Sequence, residues 1–268
     1  MSTSLIIRED DGPVTVLTIN RPDQRNALSR ALMAQLRDVI DQVSGDHRVR
    51  AVVLTGAGTA FCSGMDLKEA AARDDAPDVQ EQTIATLKEF ADLLQRLHTL
   101  PKATVAAVNG DALAGGAGLM AACDVAIAAE NARLGYPEVR RGLVPAIVIH
   151  DLTHQLGDRR ARQLVLSGEL ITSTCAHAWG LVNAIVPDDR CREEALRVAA
   201  SLAECAPLAL ATTKRLLDEA AGRPPDLRGA AAVSAAARLS DEAREGIRAF
   251  VERRPPAWAW SRSQENAP

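Results

Sequence analysis

The sequence has few aromatic side chains, and Phe, Trp and Tyr together make up 3% of its 268 residues. Because 47% of the residues are nevertheless hydrophobic, the core has to be built from Ala, Val, Leu and Ile. No run of about eighteen apolar residues occurs, so no transmembrane helix is expected. The opening segment MSTSLIIREDDG lacks the basic and then apolar regions of a secretory signal. We therefore expect a globular cytoplasmic protein without a membrane span.

A surplus of positive charge is also absent, because the formal net charge is −4. Basic residues are dispersed apart from Arg159, Arg160 and Arg162, and no aromatic residues lie between them, which argues against a nucleic-acid partner. The five cysteines are odd in number and form no CxxC pair. This pattern excludes a disulfide framework and a cysteine zinc site, and indicates reduced thiols. We expect no bound metal.

The hydrophobic pattern divides the chain into two parts. Up to about residue 142, strand-like and helix-like segments alternate, which favours a largely parallel sheet with crossover connections. Later segments mostly favour helices, so we expect an αβ core over residues 1–200 and a helical region over 201–268. The early strands are predicted at 14–20, 51–55, 104–108 and 125–129, and the early helices at 29–43, 81–100 and 115–122. The later helices are predicted at 146–156, 158–166, 174–179, 190–204, 207–221 and 227–253, with one late strand at 182–186.

Three short motifs suggest chemistry that their surroundings do not support. VVLTGAGTAF begins like a dinucleotide-binding turn, but Phe61 stands where the third glycine belongs. HDLTH (150–154) places two histidines four residues apart, yet Asp stands where zinc proteases have Glu, and only His177 follows as a further ligand. FCSGMD lacks the glycine two residues before Ser63 that a hydrolase elbow requires. A nicotinamide enzyme, a zinc protease and a serine hydrolase are therefore disfavoured.

Two glycine-containing turns remain, AFCSGMDL (60–67) and ALAGGAGL (112–119), and each follows a predicted strand. The second opens into a helix, whose N-terminus favours negative charge. Two backbone N–H groups that converge from separate turns are what an oxyanion hole requires.

With these turns in this order, the chain resembles the crotonase superfamily of enoyl-CoA hydratases and isomerases over nearly its whole length. The resemblance implies a spiral of ββα units with a helical C-terminal trimerisation part. It also implies a CoA thioester as substrate, no further cofactor, and a homo-trimer or a dimer of trimers. The segments that carry it are NRPDQRNALSRALMAQL, VVLTGAGTAFCSGMDLKE, KATVAAVNGDALAGGAGLMAACDVAIAAENARLGYPEV, GELITSTCAHAWGLVNAIVP and EGIRAFVERRPPAW.

The resemblance also implies roles for individual residues. The N–H groups of Met65 and Gly115 correspond to the oxyanion donors that hold the thioester oxygen. The positions that match the family's adenine and pantetheine contacts are Ser63, Asp66 and Leu67. The basic residues that match positions near the CoA phosphates are Arg25 and Lys68, together with Arg253 or Arg254.

The chain departs from the family at one of its two glutamates. Glu138 in YPEV matches the second family glutamate, whereas Gly118 stands at the position of the first. Glu138 could also be a first-turn carboxylate that stabilises a helix dipole. Arg140 and Arg141, which follow it, could lower its pKa, bind a substrate carboxylate, or be solvated.

The missing glutamate leaves three functions open. GGAGLMAACDVAIA and PEVRRGLVPA look most like hydratases of branched, glutaconyl-type enoyl-CoAs, which places hydration by a single glutamate first. A single carboxylate also suffices to move a proton between two carbons, so a Δ3,Δ2-enoyl-CoA isomerase is the alternative. The third reading, from another class of protein, is a non-catalytic subunit that binds acyl-CoA.

Overall fold

The computed structural model describes residues 4–72, 77–220 and 240–259. Within these ranges the strands form two sheets, a larger one in the order β1-β2-β3-β5-β7-β10 and a smaller one in the order β4-β6-β8-β9. Only the pairs β1–β2 and β8–β9 in these sheets are antiparallel. The strands are β1 Ile6–Asp11, β2 Val14–Ile19, β3 Ala51–Gly56, β4 Ala60–Cys62, β5 Ala103–Val108, β6 Asp111–Leu113, β7 Val125–Ala129, β8 Arg133–Gly135, β9 Leu170–Thr172 and β10 Ala184–Val186.

The described chain also forms α-helices and short 3-10 helices. Serine is a favoured N-cap residue, so the sequence predicts that Ser29 caps the helix that follows it. The first helix is Arg30–Gly45, and the Ser29 hydroxyl caps it by accepting a hydrogen bond from the Leu32 amide at 3.2 Å. The α-helices are α1 Arg30–Gly45, α2 Leu67–Ala71, α3 Val79–His98, α4 Gly115–Ala121, α5 Ile149–Ser167, α6 Ser173–Trp179, α7 Cys191–Ala203, α8 Pro207–Ala220 and α9 Asp241–Glu252, and the 3-10 helices are Pro22–Gln24, Pro137–Arg141 and Asp188–Arg190.

The two sheets arise because the chain adds one strand to each of them on successive turns of a spiral. The strand pairs β3 and β4, β5 and β6, and β7 and β8 each contribute first to the larger and then to the smaller sheet. Every residue of β3 and β5 is buried, as expected of parallel strands covered on both faces. Helix α7 packs against β3 and β5. The architecture is therefore the spiral of ββα units that the sequence predicted.

The aromatic-poor core has the predicted composition. It consists mainly of Ala, Val, Leu and Ile side chains, and its aromatic members are Phe61, Phe90 and Tyr136. Among the described helices, no single one is long and apolar enough to cross a membrane, although α7 with its preceding turn and α8 would meet the length and composition test together as a bent pair.

Several elements differ from the sequence expectation. The strand β1 was not predicted, because only Ile6 in it is fully buried and its pattern is mostly polar. Strand β9 was not predicted either, and it lies between the predicted helices 158–166 and 174–179. Helix α5 joins two predicted helices, and Gly157 with φ of 72° interrupts its geometry where the break was expected.

The C-terminal region follows the expectation in part. The sequence after Pro255 predicts a frayed end in which Trp258 needs a surface to lie on. Trp258 donates a hydrogen bond from its indole N–H to the Glu204 carbonyl at 3.1 Å. The predicted helix 227–253 is described only from Asp241 onward. The polar, proline-containing segment 71–81 predicts a mobile loop, and residues 73–76 of it lie outside the described residues, as does Trp260.

Candidate active site

Three turns of the chain meet at one edge of the smaller sheet. Strands β4, β6 and β8 lie side by side and parallel, so the segments that leave their carboxyl ends emerge at the same edge. These segments are Ser63–Met65, Ala114–Gly115 and Tyr136–Glu138. The carboxyl edge of parallel strands is where α/β proteins commonly bind ligands. The spiral therefore places both glycine-containing turns and the family glutamate together.

The first two turns approach each other so closely that glycine is required at the contact. A Cβ atom at Gly64 would lie 2.9 Å from the Leu113 carbonyl oxygen and 3.2 Å from the Gly115 nitrogen. A Cβ atom at Gly116 would lie 2.2 Å from the Cys62 carbonyl oxygen. Gly64 also has a φ of 90°, which side chains rarely allow. The two glycines therefore hold the amides of Met65 and Gly115 near each other.

The Met65 amide is turned away from its neighbours by a short parallel bridge to Leu28. The Leu28 amide donates to the Gly64 carbonyl at 2.8 Å, and the Asp66 amide donates to the Leu28 carbonyl at 3.0 Å. These bonds occupy the groups on both sides of Met65. In the described part of the chain, the Met65 amide itself has no acceptor. The Met65 amide is therefore a free donor, and the hydrogen bonds of Gly64 and Asp66 fix its position.

The Gly115 amide is free because Gly115 is the first residue of α4. The first helical bond runs from the Gly118 amide to the Ala114 carbonyl, and among the described residues nothing accepts from Gly115. Ala114 has φ of 52° and ψ of −123°, a conformation that favours glycine. Such a backbone costs about 1–3 kcal/mol and is typical of functional turns. Ala114 is thus the residue at which the chain changes from β6 to α4.

Glu138 lies in the 3-10 helix Pro137–Arg141 that follows β8, and Pro137 occupies its first position. The carboxylate oxygen Oε2 of Glu138 is buried and has no hydrogen-bond partner within the described chain. Burial raises the pKa of Glu138 above its ordinary value, although its own backbone amide and the charge of Arg141 partly oppose the increase. A glutamate with a raised pKa near a cavity is suited to proton transfer.

Tyr136 provides a second buried polar atom without a partner among the described residues. Its side chain is fully buried, and its hydroxyl makes no hydrogen bond. Burial raises the pKa of Tyr136, and the charges of Glu138 and Asp151 raise it further. Because buried hydroxyls are nearly always bonded, this orphan beside Glu138 marks an unusual polar environment.

The three turns border one cavity of about 510 Å³. Leu67, Leu87, Leu143 and Val144 line it and remain exposed although they are large and apolar. An exposed apolar lining of this kind is typical of a ligand site. The other lining residues in the described chain are Ser63, Met65, Phe90, Leu113, Ala114, Gly115, Pro137, Glu138, Arg141, Gly142, Pro145, Ala146, Ile147 and Val148.

The cavity brings together five of the predicted site residues, Ser63, Met65, Leu67, Gly115 and Glu138. The other predicted site residues, Arg25, Asp66, Lys68, Gly118 and Arg253, do not line the cavity.

Three of the other predicted residues lie near the first turn. Asp66 caps α2, where its carboxylate accepts from the amides of Lys68 and Glu69, and it pairs with Arg21 at 3.0 Å. The Lys68 side chain is exposed. Arg25 is half exposed and pairs with Asp111 at 2.6 Å. In the C-terminal region, Arg253 is exposed at the end of α9.

Gly118 faces a side chain rather than open space. A Cβ atom there would lie 2.5 Å from Cγ1 of Val148, and Val148 is a buried residue of the cavity wall. Valine therefore occupies the direction in which a glutamate at this position would extend. The sequence indicated the loss of the glutamate, but it gave no signal for Val148, because the two residues lie on different elements.

Tyr136 and Ala114 were also missed as residues of interest. Tyr136 could have been noticed only as a rare polar aromatic residue next to Glu138, since the sequence contains a single tyrosine. Alanine gave no signal that residue 114 adopts a positive φ.

Comparisons with known proteins show the family to which the chain belongs. The model of the family described as enoyl-CoA hydratase/isomerase matches residues 9–261. A Thermus thermophilus protein named as an enoyl-CoA hydratase is 41% identical over 255 residues. The match covers 94% of this chain and 99% of the relative. The 2,3-dehydroadipyl-CoA hydratase of Escherichia coli is 36% identical over 96% of this chain and 98% of its own.

A solved structure of an enoyl-CoA hydratase/isomerase from Marinobacter aquaeolei is 34% identical and superposes with a TM-score of 0.87. The match covers 95% of this chain and 98% of that one. The fold and site thus define an acyl-CoA enzyme of the crotonase superfamily. Within it, the chain belongs to the enoyl-CoA hydratase/isomerase family.

Proposed function

We propose that this enzyme hydrates an enoyl-CoA, with Glu138 as its single acid–base group and the amides of Met65 and Gly115 as its oxyanion hole. The observation that carries the proposal is the convergence of two free backbone donors and one unpartnered carboxylate on the same apolar cavity. Preorganised donors of this kind stabilise charge that develops on a carbonyl oxygen.

The proposed reaction uses Glu138 twice. Its carboxylate accepts a proton from water while the water oxygen bonds to the β-carbon of the enoyl thioester. The electron pair of the double bond moves toward the thioester, whose oxygen becomes an enolate held by the amides of Met65 and Gly115. Glu138 then returns the proton to the α-carbon, and the enolate reverts to a thioester. One water is added, and Glu138 ends ionised as it began.

The acyl chain that we propose is branched or of the glutaconyl type. Support comes from the hydratase of 2,3-dehydroadipyl-CoA, whose substrate name denotes a dicarboxylic acyl chain, among the relatives. The replacement of the family glutamate by Gly118, and the GLVPA segment at 142–146, support the same acyl class.

Isomerisation is the second candidate, because Glu138 is the only carboxylate among the described residues that line the cavity. In that reaction Glu138 would remove the α-proton of a 3-enoyl thioester and return it to the γ-carbon. The product would have the mass of the substrate.

Binding of CoA is proposed for residues near the first turn and the C-terminus. Ser63 and Leu67 would contact the pantetheine and adenine portions, with Asp66 shaping the turn. The cations proposed to approach the phosphates are Arg25, Lys68 and Arg253.

We further propose a homo-trimer or a dimer of trimers. Leu166, Leu208 and Leu217 are each more than half exposed, and burial between subunits would remove this apolar area from water. Analytical ultracentrifugation should show a trimer or hexamer, and a stable monomer at micromolar concentration would overturn this part.

The reaction is tested by incubating the enzyme with crotonyl-CoA, a 3-enoyl-CoA and glutaconyl-CoA, followed by mass spectrometry. Hydration adds the mass of one water, whereas isomerisation changes only the chromatographic position. Crotonyl-CoA measures basal hydration without a branch or distal carboxylate. Binding without any turnover on the panel would instead support the non-catalytic subunit.

A further inference from the structure

The proposed reaction assigns no role to Arg141, whose cationic side chain lines the cavity. Among the described lining residues, the charged side chains are Glu138 and Arg141, and the remainder are mostly apolar. Arg141 therefore gives the cavity a positive charge in otherwise mostly apolar surroundings.

Arg140 and Arg141 are neighbours in the same 3-10 helix, but they point to different places. Arg140 donates from Nε to the Ser167 carbonyl at 2.9 Å, on the side of the loop that follows α5, and does not line the cavity. Arg141 lines the cavity three residues after Glu138. The structure thus separates two arginines that the sequence alone treats alike.

Arg141 retains most of its hydrogen-bonding capacity. Its one hydrogen bond within the described chain is a long one of 3.4 Å from Nη1 to the Pro137 carbonyl, and it forms no ion pair there. A guanidinium carries five N–H donors in a planar fork that matches the two oxygens of a carboxylate. The side chain is also exposed, so a ligand can reach it.

We propose that Arg141 binds a carboxylate carried by the acyl chain of the substrate and selects dicarboxylic enoyl-CoA thioesters over monocarboxylic ones. This inference rests on the proposed hydration at the same cavity. The placement favours the acyl end over the CoA phosphates, because Arg141 shares its 3-10 helix with Glu138, which must reach the reacting carbons.

Arg141 also affects Glu138 electrostatically, since its positive charge lowers the pKa of Glu138 against the effect of burial. The other groups that bear on this region are Tyr136 and Asp151, which packs from α5. An effect through Glu138 would alter turnover of every substrate alike. Selection of a carboxylate would alter only the ratio between substrates.

The test compares Arg141→Gln with Arg140→Gln as a matched control, using crotonyl-CoA and glutaconyl-CoA. We expect Arg141→Gln to reduce the ratio of kcat/KM for glutaconyl-CoA to that for crotonyl-CoA by roughly 10–100-fold, the range for a hydrogen bond to a charged group. Arg141→Lys should recover part of the ratio, because it keeps the charge but loses the fork. Arg140→Gln should leave the ratio unchanged.

Three results would overturn the inference. Equal losses on both substrates, with a shift of the acidic limb of the pH profile, would show that Arg141 acts on Glu138. Equal losses accompanied by weaker binding of free CoA would assign it to a phosphate. Unchanged kcat/KM values for both substrates would show that Arg141 is a solvated side chain. Failure of the proposed hydration is a separate result, in which the unsubstituted enzyme adds water to neither substrate.

Discussion

Two carboxylates near the ends of the smaller sheet lie in opposite surroundings. Asp111, at the start of β6, accepts hydrogen bonds from Arg133 Nε at 3.0 Å and from Arg133 Nη2 and Arg25 Nη2, both at 2.6 Å. Burial raises the pKa of Asp111, but the hydrogen bonds and charge of Arg133 and the charge of Arg25 outweigh it, so the pKa is lowered.

Glu138 is buried to a degree that raises its pKa, yet one of its oxygens has no partner among the described residues. The charge of Arg141 opposes this increase of the pKa without cancelling it. The Asp111 carboxylate is therefore stabilised as an ion, whereas the Glu138 carboxylate is held ready to take up a proton.

Asp111 therefore serves structure, whereas Glu138 is suited to chemistry, although both are carboxylates beside the same small sheet. Asp111 joins the turn at Arg25 to β8 and fixes the strand that leads to Gly115. Glu138 is left incompletely solvated, which costs stability and supplies reactivity. Substitution of Asp111 should therefore lower stability, whereas substitution of Glu138 should lower activity without a loss of stability.

The largest expected effect is the loss of activity in Glu138→Gln. Turnover should fall by about 10²–10⁴-fold, because no second carboxylate among the described lining residues can replace the proton transfer. The free energy of unfolding at neutral pH should not decrease, since the substitution removes a poorly solvated charge. Steady-state kinetics and urea denaturation measure the two quantities. Full activity of this variant would show that another group is the base.

The same comparison predicts opposite pH dependences of stability. Glu138 contributes stability below its unfolded pKa, and this is lost as the pH rises through its raised folded pKa. Asp111 contributes stability above its unfolded pKa, and this is lost as the pH falls through its lowered folded pKa. The acidic limb of kcat/KM should likewise lie above the ordinary glutamate pKa of about 4.3.

A second carboxylate beside Glu138 should be difficult to accommodate. Gly118→Glu alone should lower the free energy of unfolding by about 1–3 kcal/mol, because its Cβ meets Val148. The double variant Gly118→Glu/Val148→Ala should recover part of this loss and gain hydration of crotonyl-CoA. Val148→Ala is the control for the cavity alone. Equal stability of Gly118→Glu and the unsubstituted protein would show that Val148 moves aside at little cost.

Substitution of Asp111, the carboxylate that pairs with Arg25 and Arg133, should affect stability rather than catalysis. Asp111→Asn should lower the free energy of unfolding by about 1–2 kcal/mol at neutral pH, a value reduced because the Arg25 and Arg133 side chains are about half exposed. The difference from the unsubstituted protein should shrink as the pH falls below the ordinary aspartate pKa of about 3.9 and through the lowered pKa of folded Asp111. Denaturation at several pH values tests this, and a constant difference would contradict it.

The smallest effect concerns the hydroxyl beside Glu138. Tyr136→Phe should raise the free energy of unfolding by about 1 kcal/mol, because it removes a buried hydroxyl that has no partner among the described residues. Differential scanning calorimetry provides the measurement, and Phe90→Leu serves as a control for a change of buried aromatic volume. A lower stability of Tyr136→Phe would mean that an ordered water satisfies the hydroxyl.

Much of the fold could be predicted from the sequence where local pattern and burial agree. The strand 125–129 and the helix cap at Ser29 are confirmed at the predicted residues. The strands β4, β6, β8 and β9 could not be predicted, because each has three residues and shows no alternation of its own. They form only because neighbouring turns of the spiral supply their hydrogen-bond partners.

The sequence by itself determined the family, the two glycine-containing turns and the lone glutamate, because these depend on residue types in a fixed order. Only the tertiary structure decided which neighbours surround them. It separated Arg141 from Arg140, placed Val148 against Gly118, and left Glu138 poorly solvated while it paired Asp111. Such outcomes depend on contacts between residues far apart in the chain, and burial, pairing and pKa are properties of those contacts.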